Sequence, residues 1–215
     1  MKNLFNMDNI LFQTLSRLAD LVLLNVIFLI CCIPIITIGA SLTAMYEITL
    51  KMAFKEDGYI IRDFFKSFKQ NFMRATIMWI ITVVLGILFL FYFTIILQIK
   101  NIVFTVILFI TGTICILYAM TVIYAFSLLA RFHNTIFKTI RNAFFMSIAN
   151  FLPYSLLMLA FPIVLFLLSC INASIFSWVI LIYLLIGFSG IALINSCLFK
   201  RIFSKYNLVP KNNTV

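Results

Sequence analysis

Five stretches of the chain, 21–38, 75–97, 102–126, 151–170 and 175–198, are written almost wholly in Leu, Ile, Val, Phe, Ala and Met. A helix needs about 20 mostly apolar residues to cross a bilayer. The pattern therefore predicts an all-α fold, a polytopic transmembrane helical bundle. No leftover segment is long enough for a soluble domain, so 1–215 reads as a single integral membrane domain.

The segment 38–55 is ambiguous. Asp8 can cap a first helix whose stripe Leu11, Leu15, Leu18 and Val22 becomes fully apolar by Leu21 and breaks at Pro34. The segment beyond the break mixes Leu42, Ala44, Met45, Ile48 and Leu50 with Thr, Tyr and Glu, and is either a short span or a cytoplasmic helix. If it spans, there are six helices, and every Lys and Arg except Lys100 lies inside, a 15:1 division of the 16. If it does not, Lys2 and Arg17 move outside and the division falls to 13:3 of the same 16. Inner loops carry the excess of basic residues, so six spans are favoured over five. Both counts put the C-terminus in the cytoplasm of a cell-membrane protein, and six put the N-terminus there too.

An internal repeat supports six. An ungapped shift of 72 aligns Tyr46 with Tyr118, Thr49 with Thr121, Ala53 with Ala125, Phe54 with Phe126, Phe65 with Phe137, Lys66 with Lys138 and Phe72 with Phe144. It relates 38–97 to 102–170 as a parallel repeat. Two short amphipathic cytoplasmic helices belong to it. In 60–74, Ile61, Phe64, Phe65, Phe68 and Phe72 face away from Arg62, Lys66 and Lys69. In 132–146, Phe132, Ile136, Phe137, Ile140 and Phe144 face away from Lys138 and Arg141. Basic amphipathic helices lie in the headgroup plane. Lys66, Lys69, Lys138 and Arg141 are thus the candidate contacts for a lipid surface or a partner.

Composition narrows the chemistry. The chain is 65% hydrophobic and 10% charged, with a mean hydropathy of +1.18. Its net charge of +10 sits in short loops beside apolar runs, which suits anionic lipid better than nucleic acid. Cys31, Cys32, Cys115, Cys170 and Cys197 form no Cys-x-x-Cys, and His133 is the single histidine. They read as buried small hydrophobes, and neither a metal nor any other cofactor is expected. Residues 1–20 carry Asp8 and Asp20 beside Lys2 and Arg17, and read as an uncleaved anchor.

Acids inside a span are costly and tend to be functional. Glu47 alone makes that claim strongly. It precedes Lys51 by four residues, the favourable order for an ion pair on a helix. With Asn25, Thr43 and Tyr46 the two form the candidate polar intramembrane site. Paired carboxylates for acid–base work and a Gly-x-Ser-x-Gly elbow are not visible, so no catalytic residue is named and no enzyme is expected. Gly187, Ser189, Gly190 and Ala192 suggest close helix contact. Pro153 and Pro162 suggest a distorted fifth span, and Trp79 and Trp178 interfacial anchors. Asn172-Ala173-Ser174 fits a glycosylation sequon.

Several motifs of the first third are familiar together: Phe5-Asn6-x-Asp8, Arg17-Leu18-Ala19-Asp20 with Asn25, and the run from Pro34 to Tyr46. Glu56-Asp57-Gly58-Tyr59, Phe64 to Phe72, and Ala75-Thr76-Ile77-x-Trp79 complete the set. Over roughly 5–80 the chain resembles the YesL family, small integral membrane proteins of Gram-positive bacteria with a domain of unknown function. The resemblance implies no settled activity. It implies an association with carbohydrate-uptake ABC transporters, whose components become possible partners. The chain itself is not an ABC permease: Glu56-Asp57-Gly58 lacks the flanking residues of a permease coupling loop. Two readings stand, a non-enzymatic accessory or modulator of carbohydrate uptake, and a small transporter or channel in its own right. Sugar, partner and oligomeric state are not legible.

Overall fold

The computed structural model of the chain describes residues 10–56, 58–96, 102–132, 134–150, 154, 156–169 and 173–205. Every regular element among them is helical. α1 (Ile10–Cys32) ends ahead of Pro34, whose ring has no N–H to continue it. A 3₁₀ turn, Ile35–Thr37, leads into α2 (Ile38–Phe54). The long α3 (Ile60–Ile96) and α4 (Ile102–Arg131) come next, then α5 (Ile136–Ala149), α6 (Leu156–Ser169) and α7 (Ala173–Ile182). A π turn, Tyr183–Gly187, joins α7 to α8 (Phe188–Lys205). The expected Asp8 cap, His133, Pro153, Cys170 and Asn172 lie outside the described residues.

Among the described residues, four stretches are long and apolar enough to cross a membrane: Thr14–Cys32, Ile60–Ile95, Val106–Arg131 and Phe176–Lys205. Large apolar side chains cover their outer faces, among them Leu85, Leu88, Phe91, Phe109 and Leu184. Lipid is the solvent those faces suit. α2, of 17 residues, and the 14 described residues of α6, which contains Pro162, are shorter.

α2 is the hub. It packs against α1, α3, α4 and α8 and is buried on every side, through Gly39, Ala40, Thr43, Ala44, Tyr46, Ile48 and Leu50. It runs antiparallel to α3, with Gly39 beside Ala75 at one end and Lys51 beside Asp63 at the other. It runs parallel to α8, where Thr49 meets Ser196 and Ala53 meets Lys200.

Residues 60–74 do not form the separate helix in the headgroup plane that their periodicity suggests. They continue without a break into the apolar half of α3, a helix of 37 residues and about 55 Å. No Pro or Gly interrupts it before Gly86. Nor is its buried stripe the Phe row. Phe64, Ser67, Asn71, Ala75 and Met78 face inward, while Ile61, Phe65 and Phe72 face out. α5 does the same, burying Thr139, Ala143 and Ser147 and exposing Phe137, Phe144 and Phe145. Small residues on the inward stripe let backbones approach, and the polar ones there find partners. Trp79 packs beside Gly39 and against Phe126, ring centroids 6.5 Å apart. Trp178 is exposed.

Candidate functional site

Charged side chains gather at one end of the bundle, where α2, α4 and α8 finish and α3 starts. α2 closes there on a Schellman turn. The Glu56 N–H donates to the Lys51 carbonyl (2.9 Å) and the Lys55 N–H to that of Met52 (3.2 Å). Lys55 takes the left-handed conformation, φ 60° and ψ 36°, usually given to glycine. The last carbonyls of α2 carry the negative end of its dipole, and the Lys200 ammonium donates to that of Ala53 at 2.9 Å. Phe54 sits between two cations: its ring centroid is 4.6 Å from the Arg131 guanidinium carbon and 5.6 Å from Lys200 Nζ. Arg131, itself buried, reaches on to Glu56 with two parallel bonds, Nη2 to Oε1 at 2.6 Å and Nη1 to Oε2 at 3.1 Å.

A second network ties α2 to α3. Lys51 Nζ donates to Asp63 Oδ2 at 2.9 Å and lies 3.8 Å from Glu47 Oε1. Ser67 Oγ donates to Glu47 Oε2 at 2.5 Å, and Asn71 Nδ2 to Ser67 Oγ at 3.3 Å. Gly58 leaves room for this pairing, since a Cβ there would stand 2.5 Å from Asp63 Oδ2. One ammonium between two carboxylates clamps two helices together.

Beside these networks opens a cleft of about 440 Å³, walled by α1, α2, the turn after it, α3 and α8. Arg17, Lys51 and Lys55 line it together with Asp20, Glu56 and Asp63, over apolar Leu21, Ile48 and Leu193. Among the described lining residues three basic side chains face three acidic ones.

The five residues of the candidate polar site do not converge. Glu47 and Lys51 come together, joined by Asp63, Ser67 and Asn71. Asn25 lies elsewhere, fully buried against the π turn. Its Nδ2 donates to the carbonyls of Tyr183 (3.0 Å) and Leu184 (2.8 Å), and its Oδ1 accepts from the Ser189 N–H (3.0 Å). Ser189 Oγ donates on to the Leu21 carbonyl at 2.8 Å. Thr43 bonds back to Gly39 of its own helix. Tyr46 accepts from Asn195 Nδ2 at 3.4 Å and packs edge-on against Phe199. Lys66, Lys69, Lys138 and Arg141 are exposed, next to the outward Phe65, Phe72, Phe137 and Phe144. Gly187 is filled by the ring of Tyr183, and Gly190 has nothing within 4 Å of where a Cβ would stand, so it makes no close helix contact. Among the described residues no three His, Cys, Asp or Glu side chains are grouped to hold a metal.

Sequence reading missed Arg131, Glu56, Asp63 and Lys200 as members of the site. A signal existed for Asp63: it is the single acid in the first turn of an otherwise basic segment.

Residues 21–93 match the family model described as "Protein of unknown function, DUF624". The match takes in α2, the turn after it and the whole Glu47–Lys51–Asp63–Ser67–Asn71 network, while Arg131 and Lys200 of the other network lie outside it. No curated protein and no solved structure matches the chain.

Proposed function

We propose that the protein is a non-enzymatic membrane protein that works by contact, as an accessory or modulator of carbohydrate uptake by an ABC transporter. The carbohydrate part rests on the resemblance of residues 5–80 to the YesL family. The contact part rests on how the buried polar groups are used. Asn25 is spent on the π turn, Thr43 on its own helix, Thr49 on Ser196 at 2.8 Å, and Glu47 on Ser67 and Lys51. Such closed pairs hold helices together rather than standing open to a solute.

Orientation is set by charge. The end that gathers Arg17, Lys51, Lys55, Arg131 and Lys200 is assigned to the cytoplasm by the excess of basic residues there. Both termini go with it, as in the six-span reading, because α1 starts and α8 ends on that side. The exposed Lys66, Lys69, Lys138 and Arg141 among outward Phe side chains then form the surface for a partner or for anionic lipid. The repeat of 38–97 and 102–170 belongs to this proposal too. Under the shift of 72 the buried stripe Ser67, Asn71 and Ala75 falls on the buried Thr139, Ala143 and Ser147, which supports it. The turn after α2 does not correspond: it falls on 127–131, the buried last turn of α4.

Charge reversal of Lys66, Lys69, Lys138 and Arg141 is expected to weaken co-purification with a transporter while the helical fold persists, because exposed charges add little stability. Full co-purification of a correctly inserted reversal variant would refute this surface. The cleft favours a second reading, a small transporter or channel. Uptake into proteoliposomes by the purified protein alone would establish it.

A further inference from the structure

We infer that the α1–α2 hairpin does not cross the bilayer: it enters from the charged side, and its apolar tip, Ile33–Ile36, rests in the hydrocarbon of that leaflet. The six-span reading counts it as two crossings. The structure gives its height by reference to α3. A Cβ on Gly39 would stand 2.5 Å from the Ala75 carbonyl oxygen and 2.6 Å from Trp79 Cβ, so α2 begins level with 75–79 of α3. Below that level lie α2 and the basic half of α3, with Arg62, Lys66, Lys69 and Arg74 exposed on it. Above it α3 continues to Ile96 with no charged residue. From Ala75 that is about 31 Å at 1.5 Å per residue, a full hydrocarbon thickness. The tip is only five residues before Gly39, including a 3₁₀ turn that advances about 2 Å per residue. It therefore ends roughly 15–20 Å short of the far end of α3.

The chemistry of the tip fits lipid rather than water. Ile33, Ile35 and Ile36 are 78%, 72% and 63% exposed. No charged residue occurs between Asp20 and Glu47. A turn in hydrocarbon must also satisfy its own backbone. Here Pro34 brings no N–H. The Thr37 N–H donates to the Pro34 carbonyl (3.0 Å), and the Thr37 hydroxyl lies 2.6 Å from the carbonyls of both Cys31 and Pro34, which share its proton. Ser41 Oγ covers the Thr37 carbonyl at 3.0 Å. Charge counting is blind to the difference, since a hairpin that crosses twice and one that turns back leave the same Lys and Arg on the same sides.

The experiment is a nitroxide label at Ile35→Cys, in full-length protein whose native cysteines are replaced, reconstituted in phospholipid vesicles. Collisions with oxygen, which partitions into hydrocarbon, are compared with collisions with a water-soluble nickel chelate. Oxygen is expected to dominate at 35, and the chelate at a control label on Tyr59→Cys. A label at 35 that meets the chelate at least as often as oxygen would overturn the inference and put the turn in water, as six full crossings require. Ile33→Cys repeats the measurement one residue from the turn. Both side chains are exposed, so neither substitution removes packing.

Discussion

Arg131 holds Glu56 from the far end of α4, with two parallel hydrogen bonds of 2.6 and 3.1 Å across 75 residues of sequence. The guanidinium is buried and the carboxylate partly exposed. The pair, with Phe54 under the guanidinium, fixes the turn after α2 against α4. Arg131→Met should destabilise the protein by about 1–3 kcal/mol, less than a fully buried pair because the freed carboxylate can be hydrated. Arg131→Lys should not restore the loss, since an ammonium cannot make the two-pronged contact. Unfolding midpoints in detergent check both.

Lys55 offers the opposite sign. Its left-handed backbone costs a side-chain-bearing residue about 1 kcal/mol that glycine avoids. Lys55→Gly should raise the unfolding midpoint and Lys55→Val should lower it. A destabilised glycine variant would mean that the lysine side chain holds the turn by a contact of its own.

Asn25→Ala should cost about 2–4 kcal/mol, because two carbonyls and one N–H of the π turn region lose their partner together. Asn25→Asp should be nearly as harmful, as a carboxylate cannot donate to the carbonyls. Hydrogen exchange should quicken at Ser189 in both variants.

Gly39 and Gly190 should behave differently under the same change. A methyl at 39 meets backbone and Trp79 at once, so Gly39→Ala should part α2 from α3 and destabilise by about 1–3 kcal/mol. Gly190→Ala meets nothing and should gain up to about 1 kcal/mol of helix propensity. Paired thermal melts decide it.

Hydropathy made the membrane location and the long helices legible, because the spans are continuous apolar runs. It misled on 60–74, whose amphipathic period suggested a separate helix in the headgroup plane and which instead runs without a break into the apolar half of α3. Ser67 and Asn71 turn inward to find partners, and Phe65 and Phe72 are left outward beside the exposed basic residues. Glu47 and Lys51 were visible because four residues on one helix fix their spacing. Asp63, Glu56 and Arg131 were not, because their pairing depends on how α2, α3 and α4 meet. Asn25 drew notice as a polar residue in an apolar run. Its partner is a π turn some 160 residues away, for which the sequence carries no local mark.

Contact with a cytoplasmic partner requires the charged end of the bundle to face the cytoplasm. Tyr59 stands on the rim of that end, 77% exposed. In protein with its native cysteines replaced, Tyr59→Cys should resist a membrane-impermeant maleimide on intact cells and react with it in inside-out vesicles. Labelling on intact cells would contradict the orientation and, with it, the proposal that this end meets a cytoplasmic partner.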